Sequence, residues 1–179
     1  MIKRSSYIIF SCLLLFVFSC EMGGFIPFNI PNILDDQLSV TLTASADEIG
    51  LNEEIIISIE VKNAESLFAF SFYLIYNPDL FDTDSDAIIE GDLFVIPVLL
   101  NETEFLSTGE VQVGLYESSN TIQESVSGTA CSIIFTSKSI GADLLYISSP
   151  VMINKNGDLI DDFSILSILP IPIEIKDVD

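Results

Sequence analysis

Alternation of apolar and polar residues is the dominant pattern along this chain, and it begins near Ser39. In EEIIISIEVKN, residues 53–63, Ile55, Ile57, Ile59 and Val61 fall on one face, with Ile56, Ser58, Glu60 and Lys62 on the other. A period of two predicts a strand with one buried and one largely wet side. LFAFSFYLIYNPDLF, residues 67–81, behaves in the same way: Phe68, Phe70, Phe72, Leu74 and Tyr76 share a face predicted to be buried. The opposite face carries Ala69, Ser71, Tyr73 and Ile75, which is semi-polar, and Asn77-Pro78 supplies a turn. At fifteen residues the run is too short to cross a bilayer as a helix.

Further strands follow at short intervals. VQVGLYESS (111–119) directs Val111, Val113 and Leu115 inward, and ACSIIFTSK (130–138) does the same with Cys131, Ile133 and Phe135. LLYISSPVMI (144–153) reads as a buried strand ending in the turn Asn154-Lys-Asn-Gly157. SILSILPIPIEI (164–175) carries Pro170 and Pro172, which predict an edge or bulged strand. No amphipathic helix of ten residues or more is evident. Many short strands with turns every eight to fifteen residues predict an all-β antiparallel sandwich.

The first twenty residues, MIKRSSYIIFSCLLLFVFSC, have a different character. Lys3 and Arg4 precede an apolar stretch from Tyr7 to Phe18 that is too short to span a membrane once mature. Val17-Phe18-Ser19-Cys20 then resembles the bacterial lipobox, in which the Cys becomes the lipidated first residue. The expected organisation is a lipoprotein signal peptide over 1–19, a tether over 20–37 starting at lipidated Cys20, and a sandwich domain over 38–179. A plain secretory signal with an incidental Cys is the alternative. EMGGFIPFNIPNILDDQ, residues 21–37, contains Gly-Gly and two prolines without a sustained period, as a tether would.

Charge narrows the functional classes. The chain carries 27 acidic and six basic residues, for a net charge of −21. Loss of residues 1–19 would leave 27 acids against Lys62, Lys138, Lys155 and Lys176, a net charge of −23. Nucleic acid and anionic headgroups would repel such a surface, so membrane attachment is expected through the lipid alone. The chain has no His and no Trp. A Ser-His-Asp triad is therefore excluded, as are metal sites that need His or several Cys. Of three cysteines, Cys12 leaves with the signal, Cys20 takes the lipid and Cys131 remains as a small buried apolar residue with no His to activate it. A non-enzymatic protein is expected.

FDTDSDAIIEGDLF places Asp82, Asp84 and Asp86 at the spacing of the first three ligands of an EF-hand loop, a pattern suited to Ca²⁺. Ala87 stands where that loop needs Gly, and Leu93 where it needs a bidentate Glu, so a solvated acidic loop is the favoured reading. A looser Ca²⁺ site drawing on Glu90 or Asp92 is the alternative. Asn154, Asn156 and Asp158 repeat the spacing, but Asn156-Gly157 is foremost a hairpin signal.

Four segments taken in order carry a family resemblance: SVTLTASADEIGLNEEIIISIEVKNAESLFAF, FSFYLIYNPDLF, GTACSIIFTSKSIGADLLYIS and MINKNGDLID. Together they resemble the cohesin domain, within a superfamily that also holds carbohydrate-binding modules, over roughly residues 38–175. The resemblance implies a jelly-roll-like sandwich of about nine strands, no catalytic activity, and recognition of dockerin-like modules of partner proteins, classed with polysaccharide-degrading machinery. It also implies that contacts come from one sheet face, at positions matching Ala69, Ser71, Tyr73 and Ile75. The best-known members carry Asn and Asp near the positions of Ala69 and Ser71. The expected product is a cell-envelope lipoprotein with Tyr73 and Ile75 as anchors and Ser71 as a polar contact. The competing expectation is a carbohydrate-binding module using Tyr73 and Tyr116, with Tyr146 if its strand faces out. A purely structural envelope domain is the third.

Overall fold

The computed structural model describes residues 37–102, 106–119, 123–161 and 169–177. The expected signal peptide, Cys20 and nearly all of the tether lie outside the described residues. Among those described, regular structure is strand, apart from two single 3-10 turns at Ser85–Ala87 and Leu106–Thr108. No helix there is long and apolar enough to cross a membrane.

Among the described residues, twelve strand segments build two stacked sheets. The first sheet contains β1 (Ser39–Ala44), β3 (Glu54–Glu65), β9 (Ser125–Ser137) and β5 (Phe81–Asp82), in that order, with β6 (Ile88–Glu90) also beside β9. The second runs β2 (Glu48–Gly50), β12 (Ile171–Lys176), β10 (Gly141–Asn154), β4 (Leu67–Ile75), β8 (Glu110–Glu117) and β7 (Pro97–Glu102), with β11 (Leu159–Ile160) paired to β10. Every pairing is antiparallel except β2 with β12. The all-β antiparallel sandwich expected from periodicity is therefore present, and several of its strands are only two or three residues long.

Alternation places the core as predicted along most strands. Ile55, Ile57, Ile59 and Val61 of β3 are fully buried and meet Cys131, Ile133 and Phe135 of β9 on the same inner face. From the other sheet come Phe70, Phe72 and Leu74, with Val111, Val113 and Leu115 opposite them. Each such side chain contributes about 1.5–3 kcal/mol through burial. Phe135 anchors one end, with the Tyr76 ring 5.0 Å away and the Phe81 ring 5.9 Å away, both edge-on.

Two bulges overturn parts of the sequence reading. Ile153 lies opposite Ala69 and Asn154 opposite Leu67, so Phe68 is an extra residue in β4. Its ring turns outward, 37% exposed, and sits 6.3 Å from Tyr116 instead of entering the core with Phe70 and Phe72. A second bulge in β10, between Ser148 and Val151, includes Ser149 at φ 50°. The expectation of a buried strand over 144–153 holds for three of its ten residues: Leu145, Ile147 and Met152 are buried, whereas Leu144, Tyr146 and Val151 face solvent.

Pro170 and Pro172 are accommodated without β12 being an outer strand. β2 pairs only with Glu174 to Lys176, and Pro172 faces Leu144 of β10, so its missing N–H lies where β12 has one neighbour. The Asn154–Asp158 turn is the expected hairpin: Asn154 Oδ1 accepts from the N–H groups of Asn156 and Asp158, and Gly157 takes φ 86°.

Candidate functional site

The outer face of the seven-stranded sheet holds the residues predicted to meet a partner. Cross-strand register arranges it in rows across β10, β4, β8 and β7. Ile153, Ala69, Tyr116 and Val98 form one row, and Val151, Ser71, Gly114 and Leu100 the next. Ser148, Tyr73 and Gln112 follow, and then Tyr146, Ile75 and Glu110. Neighbouring strands lie about 4.8 Å apart and alternate residues about 6.7 Å, so the face measures roughly 14 by 20 Å.

Its two halves differ. The first two rows contain no charged residue in a chain of net charge −21. They enclose a shallow trough of about 160 Å³, lined by Ala69, Ser71, Gly114, Leu100, Tyr116, Val151 and Ile153 together with parts of Phe70 and Leu115. Leu100 is 60% exposed on one wall and Val151 39% on the other, so apolar surface here meets water. Gly114 forms the floor: a Cβ added to it would meet only Leu100, at 3.7 Å. The absent side chain is what makes the trough.

Of the four predicted partner residues, Ala69 and Ser71 line this trough, while Tyr73 and Ile75 occupy the adjoining rows, half-buried. Gly114, Leu100, Val151 and Phe68 were not identified from sequence. The outward glycine within VQVGLYE and the uncharged run LFVIPVLLN were the signals available. Tyr73 and Tyr116 do not form one platform, because Tyr73 lies opposite Gln112, four residues along β8 from Tyr116 and about 13 Å away. Tyr116 is half-covered by Phe68, their rings tilted at 42°.

One wall of the trough is held by a buried carboxylate. Glu117, at the end of β8, is 4% exposed. Its side chain accepts hydrogen bonds from Val95 N–H at 2.6 Å, Ile96 N–H at 3.1 Å and Ser119 N–H at 2.7 Å. Burial acts to raise its pKa, but the hydrogen bonds from the Ser119 backbone and side chain, Val95 and Ile96 outweigh it and hold the pKa below the ordinary glutamate value. The carboxylate thus orients the segment that leads into β7 while Val95 and Ile96 stay more than half exposed.

The acidic loop lies at the edge of the other sheet. Asp82 closes β5 opposite Thr136, and the Asp84 carboxylate caps the following 3-10 turn by accepting from Asp86 N–H at 2.8 Å and Ala87 N–H at 2.9 Å. Asp82, Asp84 and Asp86 share the rim of an open cleft of about 340 Å³ with Glu54. Among the described residues, no three acidic or Cys side chains group closely enough to hold a metal ion. Tyr76 is inward as predicted, its pKa pushed up to about 12 by burial and then by the charge of Asp82. Burial likewise raises the Cys131 thiol to about 12.

No family model matches the sequence, and no curated protein is similar to it. Solved structures do match. A type II cohesin in complex with an X-dockerin, from Acetivibrio cellulolyticus, is similar with a TM-score of 0.67 and 13% identity, covering 78% of this chain and 100% of its own. The fold is that of a cohesin module. Type II cohesin A11 from Bacteroides cellulosolvens is similar at TM-score 0.63 and 14% identity, covering 77% of this chain and 99% of its own. A non-cellulosomal cohesin from the archaeon Archaeoglobus fulgidus has TM-score 0.60 and 16% identity, covering 78% of this chain and 92% of its own. The resemblance read from four ordered segments thus corresponds to the cohesin fold in three dimensions.

Proposed function

We propose that this protein is a non-catalytic docking module whose cohesin-fold sandwich binds a dockerin-like partner through the outer face of β10, β4, β8 and β7. The observation that carries the reading is the uncharged trough around Gly114 on a strongly acidic chain. Exposed apolar surface bordered by polar residues marks a protein contact, and here it coincides with the face predicted from Ala69, Ser71, Tyr73 and Ile75. Ser71 offers a hydroxyl within the trough, and Tyr73 and Ile75 extend the contact along β4. Attachment through lipid at Cys20 would display the module on the cell envelope, the lipid setting location and the sheet face setting specificity. A partner belonging to polysaccharide-degrading machinery fits the fold's solved relatives.

Gly114→Glu tests the docking face. A carboxylate on the trough floor removes its apolar character without displacing backbone. Capture by the immobilised protein from the organism's secreted and envelope fractions, with calcium present or chelated, should yield a discrete dockerin-like protein that the variant loses. Retention of that partner by Gly114→Glu would overturn the placement. A glycan array run in parallel would show binding lost on Tyr116→Ala only if the carbohydrate-binding reading is the right one. Metabolic labelling with palmitate, compared between the native chain and Cys20→Ser, tests the anchor.

A further inference from the structure

β7 ends the seven-stranded sheet, and among the described residues no strand pairs with its outer edge. Ser118 N–H donates to the Ile96 carbonyl at 3.0 Å, and from Pro97 opposite Glu117 the register with β8 runs on without a shift. Bonding in an antiparallel pair alternates between the two edges of a strand. Ile96, Val98 and Leu100 therefore bond towards β8, while Pro97, Leu99 and Asn101 turn their main-chain groups to the free edge. Pro97 stands where β8 does not need its missing N–H, and it leaves the N–H groups of Leu99 and Asn101 on offer.

An end strand is ordinarily guarded by charge or by a bulge, because its unpaired groups invite another chain. β7 lacks both guards: no residue from Leu93 to Asn101 is charged, in a chain of net charge −21. Val95, Ile96 and Leu100 are instead more than half exposed. The Glu117 carboxylate accepts from the N–H groups of Val95 and Ile96, which holds this apolar approach in place while its side chains meet water. By contrast β1, an end strand of the other sheet, buries both Val40 and Leu42. Two copies of so acidic a chain repel each other over most of their surface, and β7 is where they can meet without charge.

We propose that β7 pairs with β7 of a second copy, antiparallel about a two-fold axis at Leu99. Leu99 N–H then donates to the carbonyl of the partner's Leu99, and Asn101 N–H to the carbonyl of the partner's Pro97, each bond repeated by symmetry. The strand is complementary to itself in this register. Val98 falls opposite the partner's Leu100, an apolar cross-strand pair on the outer face, and Glu102 falls opposite the partner's Ile96, so no acid faces an acid. Because the same edge is used by both copies, the assembly closes at two and leaves neither β7 edge open. The outer faces join, and the troughs floored by each Gly114 come to lie about 16 Å apart, three strand spacings across and two residues along.

Sedimentation velocity tests the pairing on residues 20–179 with Cys20→Ser, which keep every described residue and carry no lipid; no docking partner is needed, so the result is independent of the docking reading. Mass should rise from one copy to two through the micromolar range, and the dimer should tighten in high salt, which screens repulsion between the acidic copies. Asn101→Pro removes an N–H that a single copy leaves unbonded, and should weaken the dimer at least about tenfold without lowering Tm. Ser45 N–H bonds to the Ile56 carbonyl, so Ala44 N–H lies on the free edge of β1, and Ala44→Pro should leave the dimer intact. Register is read by mixing Val98→Cys with Leu100→Cys. Opposed at a non-hydrogen-bonded site, these positions lie about 4.5 Å apart between Cα atoms, within disulfide range, whereas like positions are about 8 Å apart. Oxidation should therefore link the mixture far more than either variant alone, and this measurement decides the matter if Asn101→Pro fails to fold. One copy at every concentration and salt, a dimer indifferent to Asn101→Pro or lost with Ala44→Pro, or no preference for the mixed cross-link would each overturn the proposal.

Discussion

Glu117→Gln is the substitution whose consequence can be worked most fully from the structure. Shape is nearly conserved, but one carboxylate oxygen becomes an amide that donates. Oε2 accepts from Val95 N–H and Oε1 from Ile96 and Ser119 N–H, so the amide must face a donor whichever way it turns. A hydrogen bond to a charged group contributes about 1.5–3 kcal/mol, and an unsatisfied buried donor costs about 1–3 kcal/mol. Val95 and Ile96 are more than half exposed, so water relieves part of the loss. The expected destabilisation at pH 7 is about 2–4 kcal/mol, or a fall in Tm of roughly 6–14 °C for a domain of this size. The sign with pH is fixed. Because the folded pKa lies below the unfolded value of about 4.3, the stabilisation is complete above that pH and is lost as pH falls through the folded pKa. The gap between native and variant proteins, measured by urea denaturation at pH 7, 5 and 3.5, should therefore stay constant at first and then narrow, while contributions from the other acids cancel. A gap below about 0.5 kcal/mol at pH 7, within the range of ordinary surface substitutions, or one that widens on acidification, would refute the account.

Other consequences separate readings that sequence alone leaves merged. Phe135→Ala should cost about 3–5 kcal/mol by denaturation, whereas Phe68→Ser should cost under about 1 kcal/mol, because only the first ring is in the core. Equal losses would return Phe68 to the inner face. Among the glycines, Gly91→Ala places a Cβ 1.9 Å from the Thr129 carbonyl oxygen and should destabilise by about 3 kcal/mol, while Gly157→Ala, strained by its φ of 86° but unobstructed, should lose about 1 kcal/mol. Gly114→Ala should stay within about 0.5 kcal/mol of native. Cys131, with its thiol raised to about 12, should resist alkylation at pH 8 in the native protein and react only after unfolding, as read by mass spectrometry.

Much of the fold was legible along the chain because strand periodicity acts residue by residue. Ile55 to Val61, Val111 to Leu115 and Cys131 to Phe135 each occupy the face their alternation predicts, and Asn154 to Asp158 forms the turn its composition predicts. Burial of a side chain on a pleated strand depends mainly on parity, and parity is written in the sequence. Parity fails where a strand carries an extra residue. Phe68 has the same apolar character as Phe70, and only its pairing with β10 places it outside. Over 144–153 ordinary alternation sends Leu145 and Ile147 inward and Leu144 and Tyr146 outward, and the bulge between Ser148 and Val151 then resets the parity so that Met152 is the inward residue.

The candidate site divides in a similar way. Ala69, Ser71, Tyr73 and Ile75 could be recognised as a shared outward face because they lie on one strand. Gly114, Leu100 and Val151 belong to three other strands, remote in sequence, and only register brings them beside Ser71. Glu117 has no local signal at all: its partners at 95 and 96 are more than twenty residues away, and nothing near it in the chain reveals that its carboxylate is buried. Sequence by itself determined the strand class, the inner faces, the acidic exterior and the absence of His-dependent chemistry, since these follow from local pattern and composition. Tertiary structure alone decided which apolar residues stay in water, where the trough lies and what braces its wall, since these depend on the pairing of distant strands and on bulges that shift it by one residue.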